Sequence, residues 1–72
     1  MTLNNVKKGD ELTRKMPARK KGQFYYNNAI VIEITENTII CDVYVDVPRE
    51  MAFDKKTGVD VEGERYGMLI IG

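Results

Sequence analysis

The sequence predicts an all-β domain: a small barrel or a strongly bent antiparallel sheet of five or six short strands, with no long helix. Three observations carry this. The segment 29–47 alternates apolar and polar side chains on both sides of a two-residue loop, Glu36-Asn37. Turn-forming residues punctuate the 72-residue chain every eight to twelve positions. No stretch of ten or more residues spaces its apolar side chains at three and four, so no helix of more than one turn is expected.

Residues 1–5 read as a loose leader to a single domain spanning 1–72. Gly9-Asp10 makes a turn into a first strand at roughly 11–16. Pro17 and Gly22 bound the loop that follows. Phe24 opens a second strand long enough to bend. Asn27-Asn28 is the expected bulge within it, because both side chains tolerate unusual backbone angles. Across Glu36-Asn37, Thr35 meets Thr38, Ile34 meets Ile39, Ile32 meets Cys41 and Ile30 meets Val43. Successive side chains point to opposite faces, so those six apolar residues form the expected core face. Ala29, Val31, Ile40 and Tyr44 then fall on the outer face with Glu33 and Asp42. A slip of one residue would bury the charges, which specifies the register.

The third strand is expected to end near Val47-Pro48, since proline cannot donate to a ladder. A short fourth strand follows at 50–53. Asp54 and Gly58 frame a turn in which Gly58 takes the left-handed conformation. Residues 59–62 alternate as a short return strand, 63–67 form a second turn, and 68–71 form a last strand that is apolar on both faces.

Composition excludes more than it assigns. A chain of this length buries only about 60% of its unfolded surface, so its core is small. Eleven basic residues balance eleven acidic ones, which gives no whole-chain pull toward nucleic acid and little repulsion between copies. The single cysteine rules out an internal disulfide and fits a reducing compartment. The first residues hold no apolar core of signal-peptide length, and the longest uncharged apolar run, 68–71, is too short to span a bilayer. The expectation is a cytoplasmic protein with no membrane contact. With no histidine and one cysteine, a Cys/His zinc site cannot be built within one chain. Asp42, Asp46, Asp54, Asp60, Glu62 and Glu64 match no calcium-loop spacing and read as the wet side of strands. Cys41 falls on the core face and acts as a small apolar residue. The glycines are scattered, so no loop cradles a phosphate. A barrel this small fills its interior with side chains. No enzyme, cofactor or metal is therefore expected.

Two surfaces remain as candidates. Residues 1–22 carry seven basic and two acidic side chains, and residues 23–72 carry four and nine. Arg14, Lys15, Arg19, Lys20 and Lys21 cluster in that basic half, and Phe24-Tyr25-Tyr26 follows at once. Alternation carried back from Ile30 turns Phe24 and Tyr26 inward and Tyr25 outward. A bulge at Asn27-Asn28 would exchange the two tyrosines, so which one is exposed stays open. An exposed ring beside a basic loop is the composition of a platform for RNA or single-stranded nucleic acid. The candidate binding residues are Arg14, Lys15, Arg19, Lys20, Lys21 and Tyr25. The same loop also reads as a solvated turn balancing an acidic sheet. The second surface comprises Val31, Ile40, Tyr44, Leu69 and Ile71, and it suits a protein-interaction module or small adaptor, homodimeric in one version.

The string Val6-x-x-Gly9-Asp10-x-Leu12 resembles the opening of SH3-like barrels of the KOW type, in which a Gly-Asp turn launches the first strand. The resemblance implies a five-stranded barrel with the basic segment 14–22 as its long first loop. It covers about seven positions, and the later glycines of a KOW segment are missing from 13–23 apart from Gly22. The string Phe53-Asp54-x-x-Thr57-Gly58 resembles a turn of small phage and bacterial proteins. Neither likeness carries a function.

Overall fold

A computed structural model describes residues 6–70. They form one antiparallel sheet of β1 (Glu11–Pro17), β2 (Phe24–Ile34), β3 (Thr38–Tyr44), β4 (Pro48–Asp54) and β5 (Met68–Ile70), with a 3-10 turn at Glu64–Tyr66. The order across the sheet is β4-β3-β2-β1-β5. The expected all-β fold is present as a strongly bent sheet.

The ladder itself does not close, because β4 and β5 do not pair. Residues 58–61 span the gap. The Asp54 N–H donates to Val59 O (2.8 Å) and the Val61 N–H to Ala52 O (3.1 Å) on one side. On the other, the Leu69 N–H donates to Gly58 O (2.8 Å) and the Asp60 N–H to Gly67 O (2.9 Å). This segment was expected to be a return strand. It forms only two isolated bridges, Phe53 with Asp60 and Val59 with Met68, because it must turn at once into the 3-10 segment.

Every strand contributes to one core: Leu12, Ala29, Val31, Ile39, Cys41, Val43, Phe53 and Leu69, with Val6, Ile34 and Met51 packed against it. Phe53 is the largest fully buried side chain. The sheet curls around it, so the inner face supplies both sides of the core.

The β2–β3 register differs from the expected one beyond a single point. Thr35 does meet Thr38, with the Thr35 N–H donating to Thr38 O at 2.9 Å, and Ile34 meets Ile39. Between Val31 and Glu33 the register shifts, leaving Ile32 unpaired. Val31 then meets Cys41 and Ala29 meets Val43. Ala29 and Val31 are therefore buried, and Ile30 and Ile32 are half-buried outside the core. The expected bulge at Asn27-Asn28 is absent; these residues continue the ladder opposite Arg14 and Thr13. A bulge bends its strand and increases local twist, and β2 is the longest strand of the sheet at 11 residues.

Other boundaries shift by a few residues. β3 ends at Tyr44, and β4 already begins at Pro48, the first position of an edge strand, where a missing N–H is tolerated. The opening turn is as expected: Gly9 has φ 93°, its N–H donates to Val31 O at 2.7 Å, and the Val31 N–H donates back to Asp10 O at 2.9 Å. The turn after β4 is also as expected. Asp54 Oδ1 accepts from the N–H groups of Lys56 (2.8 Å) and Thr57 (3.1 Å), and Gly58 has φ 78°. Those two N–H groups hold the Asp54 pKa below the ordinary carboxylate value. The leader 1–5 and Ile71 lie outside the described residues.

Candidate nucleic-acid interface

β2 pairs with β3 only from Asn28 onward, where Asn28 meets Tyr44. Its first four residues, Phe24, Tyr25, Tyr26 and Asn27, pair with β1 alone on that side. The hairpin tip is thus an arm that extends beyond the curled part of the sheet. Lys15, Met16 and Asn27 are half-buried there, but the rings of the arm are exposed on both faces. Tyr25 is 56% exposed, Tyr26 58% and Phe24 43%. The expected inward turn of Phe24 and Tyr26 is corrected: alternation does place them on one face with Ile30, but the register shift at Ile32 makes that the outer face. Tyr25 and Tyr26 are both exposed, on opposite faces.

The loop at the tip is compact. The Ala18 N–H donates to Gln23 O (3.0 Å) and the Gln23 N–H to Lys20 O (3.1 Å), while Gly22 supplies a φ of 85°. Arg19, Lys20 and Lys21 are all exposed at this turn. Lys15 lies on β1 opposite Tyr26 and Met68, and its Nζ sits 4.1 Å from the centroid of the Phe24 ring, within cation–π range.

Arg14 does not join this cluster. It is only 4% exposed and points to the inner face. Its Nε and Nη2 donate to Tyr66 O at 3.0 and 2.5 Å, and its Nη1 donates to Asn27 Oδ1 at 3.3 Å. Burial pushes its pKa down, and the nearby Asp60 carboxylate opposes that shift. Arg14 therefore pins the 3-10 turn to β1. Alternation from Leu12 carried the signal for this: if Leu12 faces the core, so does Arg14.

The second predicted surface is divided by the fold. Val31 and Leu69 are core residues and leave it, because the bulge at Ile32 turns Val31 inward and Leu69 faces the core from β5. Ile40 is half-buried and Tyr44 is 45% exposed, and both lie on the outer face. Cys41 is buried, and its pKa is raised to about 11, first by desolvation and then by Asp42; it remains a protonated thiol at neutral pH.

Sequence reasoning missed two features. Asp60 is buried beside Arg14, and its Oδ1 accepts from the Glu62 N–H at 2.8 Å. Both residues line a concavity of about 330 Å³, along with Met51, Val61 and Tyr66. A second hollow of about 300 Å³ lies on the outer side between Lys15, Pro17, Phe24, Val59, Glu64 and Met68. No group of three or more potential metal-ligating side chains occurs among the described residues, and none of their helices is long and apolar enough to cross a membrane. No family model, no curated protein and no solved structure matches the chain.

Proposed function

We propose that this chain is a small non-catalytic binding module with an SH3-like barrel plan, and that its β1–β2 arm binds single-stranded nucleic acid. The observation that carries the reading is the arm itself: three exposed rings next to an exposed Arg19-Lys20-Lys21 turn. Phosphates meet the cations, and unstacked bases meet the rings of the face that the strand follows. The barrel plan is supported by a first strand held between the second and the last, and by the bridging of the open edges through 58–61.

Titration of the ¹⁵N-labelled protein with mixed-sequence single-stranded RNA and DNA at low salt tests the reading. Shifts should concentrate in residues 15–26. Each phosphate contact on a single strand contributes a log–log salt slope of about −0.7. Replacing Arg19, Lys20 and Lys21 with glutamate should flatten the slope by roughly 2 units. Absence of shifts at the arm would overturn the proposal.

A second reading is favoured by one patch. Ile32, Ile40 and Ala52 are half-buried on the outer side of the sheet, away from the arm. With zero net charge, a second copy of the chain can cover them with little long-range repulsion.

A further inference from the structure

The paired registers arrange the outer face into rows. One row runs Met68, Lys15, Tyr26 across β5, β1 and β2. The next runs Ile70, Thr13, Asn28, Tyr44, Pro48 across all five strands. The row after that is Glu11, Ile30, Asp42, Glu50. Phe24 lies one step beyond Tyr26 toward the tip, under the Lys15 ammonium. The outer face is therefore divided: aromatic and cationic toward the arm, then crossed by a line of three carboxylates.

The opposite face of the arm is different. Tyr25 is its only exposed ring, and its neighbours there are Met16 and the buried Arg14, whose guanidinium is already engaged by Tyr66 and Asn27. A strand lying on that side would find one exposed ring and, apart from the loop, a single exposed cation, Arg49, across a hollow that Asp46 also lines.

We infer that the single strand runs along the outer face, with successive bases stacked on Tyr26 and Tyr44, its phosphates held by Lys15 and the 19–21 turn, and the carboxylate row limiting its path. The inference rests on the nucleic-acid reading above and deepens it by assigning the face, the rings and the form of the ligand. Tyr44 stands opposite Asn28, two residues along β2 from Tyr26, so the two rings are diagonal neighbours about 7–8 Å apart at the backbone. Stacked bases rise only about 3.4 Å along one strand. Bases seated on both rings are thus separated from each other by roughly twice the stacked distance. A duplex keeps its base faces stacked on one another and closed to the rings, whereas an RNA or DNA single strand can splay its bases onto them. Stacking is tolerant of sequence because every base has a π-face, and Asn28 between the two rings, with Thr13 beside it in the same row, is a neutral hydrogen-bonding side chain positioned to touch a base edge.

The test measures binding of the full chain to fluorescent oligo(dT), oligo(rU) and a mixed-sequence duplex by anisotropy, with a salt series for each variant. Tyr26→Ala and Tyr44→Ala should each weaken single-strand binding about 5- to 100-fold without changing the salt slope. Tyr26→Phe and Tyr44→Phe should keep wild-type affinity, since stacking needs the ring and not the hydroxyl. Tyr25→Ala should stay within about twofold of wild type, because its ring is on the unused face. Thermal melts of the alanine variants confirm folding, which the half-exposed positions of both rings permit. If Tyr25→Ala costs more than the other two, or if the duplex binds as tightly as the single strands, the outer-face inference falls while nucleic-acid binding stands. If no oligonucleotide binds the wild-type chain, the functional reading itself falls, and this inference with it.

Discussion

Gly58 and Gly67 both adopt positive φ, at 78° and 106°, for different reasons. Gly58 ends the turn after β4, where its N–H donates to Asp54 O at 2.7 Å. A side chain there meets the backbone penalty of the left-handed region, so Gly58→Ala should destabilise by about 1 kcal/mol. Gly67 carries a second constraint. A Cβ at Gly67 would stand 2.9 Å from Lys15 O and 3.1 Å from Arg14 Nε. The first contact is with backbone that cannot move without disturbing β1. Gly67→Ala should therefore cost about 2 kcal/mol or more and loosen the bond between Arg14 and Tyr66 O. Urea unfolding of the two variants checks the order; equal losses would mean that the close approach to β1 costs nothing. The sequence revealed Gly58, because Asp-x-x-x-Gly is a local turn pattern. It did not reveal Gly67, whose constraint comes from a strand more than fifty residues away. Arg14 shows the same boundary: it counts toward the basic half of the chain, yet the fold spends its charge inside.

At the scale of elements, strand identity was legible and register was only partly so. The run Ala29-Ile30-Val31-Ile32 is apolar at four consecutive positions, so alternation alone cannot say which two point inward. The unpaired Ile32 resolves it: residues on the loop side of the bulge follow the simple hairpin register, and those beyond it are displaced by one. This gives a sharp test at adjacent positions. Val31 is 1% exposed, so Val31→Asp buries an unpaired carboxylate and should abolish cooperative unfolding at neutral pH. Ile32 is half-buried at the bulge, and Ile32→Asp should leave a folded, weakened domain. Thermal melts followed by circular dichroism distinguish the two, and the reverse order would mean that the bulge is misplaced. The arm also became visible only as an element. Its rings look like core residues in a list of apolar positions, and they are exposed because β3 ends at Tyr44 and leaves that part of β2 without a neighbour.

For the whole molecule, the arm and the isoleucine patch are separated by the row of Glu11, Asp42 and Glu50, so the two proposed readings do not compete for the same surface. Ile32, Ile40 and Ala52 lie beyond that row, near the Glu36-Asn37 loop. Half-buried apolar side chains on an open sheet face gain about 25 cal/mol per Å² when covered, and a chain with eleven charges of each sign meets no net repulsion as its copies approach. Sedimentation velocity from low to high micromolar concentration should show a monomer–dimer equilibrium. Ile40→Glu should shift it to monomer while the domain stays folded, because the side chain is on the outer face and can reach water. Leu69→Glu should instead unfold the domain, since Leu69 belongs to the core. A single monomeric species across the whole range would remove the second-copy reading. Retention of the dimer by the folded Ile40→Glu variant would move the contact elsewhere, and the face left to it would be the aromatic one, where added oligonucleotide would then dissociate the dimer.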